Sequence, residues 1–463
     1  MDFKYHLEHR TKRAFTLIEM MVFIFIFSIA ALTFYRIFAG GTQAMGNVKN
    51  RLSALSVANE KMEIIKNLSY PDIATVGGIP AGQIPQDETV VQNNKTFFVH
   101  TSVLYVDDPF DGTLAQGTDS NPEDYKQVKV VVYWEQNNPS KSVQLVSTIS
   151  PPGIESIYTG GILSLHVVDN SGNGVPGAQL NIINNAISPA VNATYTTDSG
   201  GNLFLPEAQP ANQTYQIQVS KNGYFPVQTY APYPTSTVYP VDVHGSVVGG
   251  TINQKTIVTD KISTINMHTT TPLGATVPSI DFALTGGRKI ADTAGSNPQP
   301  EYAFNNQSLN TDSNGTKSFS SMSSGPYFFT FKSTVNNSDY VFLKMSSATT
   351  AANAFSVDPG ITSDITAYLA DKRIDSLLVT VADAADGTPI ANSSVELKDL
   401  NSTYDVTLMT DSFGQAYFPD QSAPLVGGTQ YELSVSASGY ASSSPQSVTV
   451  NKYTTQAVSL TAN

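Results

Sequence analysis

Cysteine is absent from all 463 residues. That excludes disulfides, thiolate metal sites and thiol chemistry. Stability must then come from buried cores, which domains of ordinary size achieve without bridges. Charged residues are only 14% of the chain, and the formal net charge is -13. An acidic surface repels phosphate backbones, so no nucleic-acid partner is expected. Histidine is scarce: two lie in the first ten residues, and His100, His166, His244 and His268 are isolated, so no metal-ligand spacing arises. The chain also lacks a G-x-S-x-G elbow and a phosphate-binding G-x-x-x-x-G-K loop. No catalytic constellation and no cofactor are expected, and the sequence reads as that of a non-enzyme.

What is present begins with a polar leader, residues 1–14, in which Lys4, Arg10, Lys12 and Arg13 outweigh Asp2 and Glu8. Residues 15–34 (FTLIEMMVFIFIFSIAALTF) then form an apolar run about long enough to cross a bilayer. The basic leader predicts a cytoplasmic N-terminus and export of the rest, hence a single-pass inner-membrane protein with extracytoplasmic domains. Glu19 interrupts the run, and a carboxylate in lipid is costly enough that such residues are usually functional. Gly40, Gly41 and Gly46 follow, each lowering helix stability by about 1 kcal/mol relative to Ala. Beyond them Val48, Leu52, Leu55, Ala58, Met62, Ile65 and Leu68 recur at helical spacing, which predicts an amphipathic continuation ending at Tyr70-Pro71.

The segment Arg13-Ala14-Phe15-Thr16-Leu17-Ile18-Glu19 resembles the processing site of type IV prepilins and pseudopilins. The resemblance implies cleavage between Ala14 and Phe15, where the family usually has Gly before the cut, and N-methylation of Phe15. It also implies that Glu19, fifth from the new terminus, meets the Phe15 amine of a neighbouring subunit. Two readings without a filament compete. A plain anchor explains the hydrophobicity but not Glu19, and a signal peptide would be cut near Ala30-Ala31 or Ala39-Gly40.

After Pro71 the pattern changes to strands at 96–106, 128–134 and 142–149, with Val128, Val130, Val132 and Trp134 on one face. A small antiparallel sheet packed on the helix is expected, as in a pilin head, over residues 69–153. The acidic loop between two of these strands holds Asp107, Asp108 and Asp111, which are Ca²⁺ candidates without EF-hand spacing. A solvated polar loop is the plainer reading, and no metal is expected.

Past Pro151-Pro152-Gly153 the chain repeats itself. The pentapeptide T-D-S-x-G occurs at Thr197–Gly201, Thr311–Gly315 and Thr410–Gly414. Asp can close a turn through its own side chain and Gly supplies a positive φ, so the motif predicts a tight strand connection. Around the first and third copies the order of strands, turns and a Gly-Tyr pair resembles carboxypeptidase regulatory-like domains. These are seven-strand sandwiches related in shape to immunoglobulin and transthyretin-like folds. The expected class is α+β: a transmembrane helix and head, then three such sandwiches at 160–245, 260–372 (divergent, with an insertion around 286–306) and 373–463. Val167 and Val381 stand where related adhesin sandwiches carry a cross-linking Lys, so no isopeptide is expected in the first or third. The Tyr/Pro tract 225–240 reads as a strand or linker, with a sugar-binding strip as the lesser alternative.

The resemblance implies a structural, minor subunit of a type IV pilus-like filament. Its expected partners are other pilin subunits, the prepilin peptidase/methyltransferase, membrane lipids before assembly and an unidentified surface ligand of the sandwiches. A secretion-system pseudopilin and a membrane-anchored adhesin outside any filament are the alternatives. Mass spectrometry of the mature protein is expected to find methyl-Phe15 at its N-terminus. A chain beginning near Ala31 or Gly40 would instead establish signal-peptide removal.

Overall fold

The computed structural model describes residues 17–107, 123–136, 138–152, 160–400, 403–421 and 423–463. The chain divides into two compact units, one of residues 1–158 with 205–207 and the other of the remaining residues.

The first unit is organised by a 50-residue helix, Leu17–Lys66, about 75 Å long at 1.5 Å per residue. Its most apolar 18-residue stretch has a mean hydropathy of 2.4, and none of that stretch is buried by the chain itself. The hydroxyls of Ser28 and Thr33 donate back to the carbonyls of Ile24 and Ile29, at 2.7 and 2.8 Å, and so satisfy themselves within the apolar run. The helix passes through Gly40, Gly41 and Gly46 without a break. A Cβ at any of the three would meet nothing within 4 Å, so no close approach within the chain requires glycine there.

The C-terminal part of the helix packs on a four-stranded antiparallel sheet of Asp87–Gln92, Lys95–Val106, Tyr125–Tyr133 and Ser142–Ile149, in sequence order. The first strand is absent from the sequence reading. It is short and begins with two charges, and it joins the second through Asn93 and Asn94, whose φ values of 51° and 60° suit a two-residue hairpin turn. Val128, Val130, Val132 and Trp134 face the helix as the alternation predicts. Of the predicted helical stripe, Ala58, Met62 and Ile65 are buried, joined by Ala54 and Val57, whereas Val48, Leu52, Leu55 and Leu68 are exposed. Two alanines one turn apart bring the helix backbone close to the sheet. That side is fixed by the Lys61–Glu88 ion pair at 2.7 Å and by Asn93 donating to Ser53 at 3.2 Å. At the helix end, buried Lys126 donates to the Tyr70 carbonyl at 3.0 Å and lies over the Tyr70 and Tyr105 rings. Burial lowers the pKa of its amine.

The second unit contains three sandwiches of one design. In each, the opening strand lies at the centre of a sheet with the closing strand parallel beside it. The pairs are Gly161–Val168 with Ile252–Val258, Ser263–Thr270 with Thr362–Asp371, and Ser376–Asp383 with Tyr453–Leu460. The first sandwich therefore extends past the expected end at 245, because Ile252–Val258 completes its sheet. The middle domain shares the design, and the insertion around 286–306 is a long hairpin of Asp281–Thr293 and Pro300–Asn310. Its core is aromatic: Phe282 stacks on Phe329 at 5.1 Å and Tyr327 on Phe355 at 5.6 Å. Each such ring contributes roughly 1.5–3 kcal/mol by burial. In the first and third sandwiches Val167 and Val381 are buried in the core.

The Tyr/Pro tract does more than link. Val227–Gln228 pairs within the first sandwich, and Val238–Pro240 pairs with Ala291–Thr293 of the middle one. Asp242 and Arg288 form an ion pair at 2.7 Å across the same junction. Between the middle and third domains Leu343, Ala370 and Leu378 form a small apolar cluster. Lys344 pairs with Asp411 at 2.6 Å beside it.

Buried tyrosines give the sandwiches an alkaline limit. Tyr215 donates to the Gln209 carbonyl at 2.7 Å, and burial pushes its pKa up to about 12; Tyr327 and Tyr404 are raised for the same reason. An unfolded tyrosine ionises near pH 10 (about 10 in model peptides). The folded chain keeps protons that the unfolded chain loses, so this stability is complete below about pH 10 and is lost as pH rises toward 12. A fragment spanning residues 160–463 is expected to fold without the helix and to melt at progressively lower temperature from pH 10 to 12. Tyr215→Phe should cost about 1 kcal/mol at neutral pH and flatten the alkaline slope. An unchanged slope would show that Tyr215 does not set it.

Candidate assembly helix and display domains

Glu19 lies in the first described turn of the long helix and is exposed. Ala14 and Phe15, the expected cleavage and methylation positions, lie outside the described residues. So do Asp108 and Asp111, which leaves Asp107 alone among the Ca²⁺ candidates. Among the described residues no group of three or more His, Asp or Glu is placed to hold a metal ion.

The uncovered apolar surface of the helix does not stop where a membrane-length run would end. Phe38 and Met45 are followed by Val48 and Leu52, which are 59% and 63% exposed. The sheet leaves these large aliphatic side chains uncovered.

The T-D-S-x-G turns superimpose in chemistry. Asp198 Oδ1 accepts from the backbone N–H groups of Gly200 and Asn202 at 2.8 and 2.7 Å. Asp312 Oδ1 accepts from Asn314 and Thr316, both at 2.8 Å. Asp411 Oδ1 accepts from Phe413 and Gln415 at 2.8 and 2.9 Å. The backbone donors hold the Asp312 carboxyl below the usual carboxylate range. These aspartates are turn-formers, as the sequence reading has them.

The threonines of the motif were not recognised as functional from the sequence. Thr197, Thr311 and Thr410 are all buried. Thr197 donates to the Val175 carbonyl at 2.8 Å and accepts from the Ala178 N–H at 2.9 Å. Thr410 donates to Ile390 at 2.7 Å and accepts from Ser393 at 2.8 Å. Thr311 accepts from the Ile280 N–H at 2.9 Å. The hydroxyl thus anchors the segment that enters the second strand, and the glycine carbonyl accepts from the opening strand at 2.8 Å in all three copies. Identity at the same place in three otherwise divergent repeats was the available signal.

A membrane-type helix on a small α+β head, followed by three β-sandwiches of common topology, is the class these features define. Comparison with known proteins adds two matches. Residues 9–35 match the prokaryotic N-terminal methylation motif, and residues 376–463 match the carboxypeptidase regulatory-like domain. No curated protein matches the chain. Among solved structures it is similar to the Bacillus anthracis TIE protein, at 14% identity over 81% of this chain and 73% of that one, with a TM-score of 0.18. A streptococcal ancillary pilin matches at 13% identity over 66% and 99%, with a TM-score of 0.18. BcpA, the major pilin subunit of Bacillus cereus, matches at 12% identity over 66% and 100%, with a TM-score of 0.17. The chain therefore carries a pilin-type methylation motif on an apolar N-terminal helix. Those features support a pilus-type structural subunit that is membrane-anchored or surface-exposed.

The shared turn predicts a contrast between two glycines of the third sandwich. Gly414 has φ +69°, and a Cβ there would sit 2.3 Å from the Val381 carbonyl oxygen. Gly439 has φ +84° with open space around it. Gly439→Ala should cost about 1 kcal/mol, the left-handed penalty alone. Gly414→Ala should cost about 3 kcal/mol, because the opening strand must also move. Urea denaturation of the 160–463 fragment measures both, and equal costs would deny the turn its role in clamping the sheet.

Proposed function

We propose that this chain is a minor subunit of a type IV pilus-like filament, held in the inner membrane before assembly and displaying its three sandwiches outward afterwards. The observation that carries the reading is the combination of Glu19 with apolar surface that runs from the span onto the head. A lipid anchor has no use for exposed Val48 and Leu52 beyond the membrane, whereas neighbouring helices in a filament would bury them. Cleavage by a prepilin peptidase/methyltransferase would leave methyl-Phe15 as the amino terminus. Glu19 would then meet that amine on the next subunit, so that each charge neutralises the other in an apolar filament core where either alone is costly. Three sandwiches beyond the head favour a sparse subunit over one packed at every helical repeat. They also count against a compact-headed secretion pseudopilin. The sandwiches act by adhesion or interaction, and no catalytic step is assigned to them.

Glu19→Leu separates a filament subunit from a surface adhesin that is only anchored. The variant should reach the membrane at normal levels and be missing from sheared surface filaments. Glu19→Asp should be partly defective, since its shorter arm must strain to reach the amine. Recovery of the Leu variant in filaments at the wild-type ratio would show the charge pairing to be wrong. Absence of even the wild-type chain from filaments would favour the anchored adhesin.

A further inference from the structure

A cleft of about 690 Å³ lies at the junction of the first and middle sandwiches, within the size range of small-ligand sites. Its floor is the outer face of the first sandwich. There the strands Val227–Gln228, Ala211–Ser220, Gln179–Asn184 and Val191–Thr196 lie side by side. One polar side chain from each falls in a single row. Gln228 is opposite Gln218, Gln218 opposite Asn181, and Asn181 opposite Thr194. Asn181 donates to Gln218 at 3.3 Å, which orients both amides. One wall is aromatic, with Phe225 and Tyr230 from the Tyr/Pro tract. The other comes from the middle domain, whose Arg288 is neutralised by Asp242 at 2.7 Å and also donates to the Val258 carbonyl at 2.8 Å.

We infer that this cleft binds a neutral oligosaccharide. A row of primary amides offers donors and acceptors together, which is what adjacent sugar hydroxyls require. Aromatic side chains supply flat apolar surface for the C–H face of a pyranose. The lining carries no uncompensated charge, so it has nothing to hold a phosphate or a polyanion. A peptide is the poorer fit. Extended peptides gain affinity by adding to a free strand edge, and this cleft lies over a sheet face, where only side chains are presented. Arg288 and Ile290 of the middle domain complete the site, and the Val238–Pro240 pairing and the Asp242–Arg288 ion pair hold that junction, so the site's shape depends on it. The inference concerns the isolated chain and stands whether or not the chain enters a filament.

The test is titration calorimetry of the full chain in a sugar-free zwitterionic detergent against maltohexaose, cellohexaose, chitohexaose and xylohexaose. Saturable binding of at least one is expected. Asn181→Ala with Gln218→Ala should weaken it by about tenfold, the loss of two modest hydrogen bonds, without lowering the melting temperature of the chain. Asp242→Asn, which leaves Arg288 uncompensated, should weaken the same sugar and admit the sulfated polysaccharide heparin. Failure of all four sugars to bind overturns the proposal. So does binding that the double variant leaves unchanged, or equal binding of a neutral Ser/Asn/Gly peptide.

Discussion

The buried threonine of each T-D-S-x-G turn is the contact on which the sandwiches depend. Its hydroxyl donates to one backbone carbonyl and accepts from the backbone N–H three residues further on in two of the copies. That segment, the entry to the second strand, is held where the chain crosses from one sheet to the other. The following aspartate closes the turn, and the glycine carbonyl takes the N–H of the opening strand. A buried hydroxyl of this kind leaves little freedom, since losing either partner strands a polar group away from water. The same three residues thus fix the spacing of two sheets in three domains whose other residues differ widely.

Much of this was legible in the chain. Three copies of one pentapeptide mark the same turn in each sandwich, and the alternating valines of 128–134 mark the face that meets the helix. Other features were not legible, for identifiable reasons. Helical spacing picks out Ala58, Met62 and Ile65, which the sheet buries, but also Val48, Leu52 and Leu55, which it leaves exposed, and it passes over Ala54 and Val57. Ile252–Val258 alternates with Asn, Gln and Lys and so looks like surface, yet it is the closing strand of its sandwich. Val238–Pro240 sits among prolines, and its partner, Ala291–Thr293, lies far along the chain in a different domain. No local pattern encodes such a pairing.

The candidate sites divide in the same way. Glu19 stands out because one carboxylate in an apolar run is conspicuous on chemical grounds alone. The amide row could not be found that way, since Gln228, Gln218, Asn181 and Thr194 come from four strands and each is an ordinary surface residue in sequence. Only register brings them into line, and only the fold sets Phe225 and Tyr230 on one side of the row and Arg288 of the middle sandwich on the other.

The parallel pairing of opening and closing strands has a mechanical meaning. Only residues 259–262 and 372–375 separate the end of one sandwich from the start of the next. A pull along the chain therefore draws each opening strand backward and its closing strand forward, along their shared axis. The seven, seven and eight paired positions of the three domains are then loaded together in shear. An antiparallel pair pulled from one end would open rung by rung. Tension on the far sandwich would reach the helix through three such shear-loaded pairs in series, an arrangement suited to a chain that must hold on while something pulls.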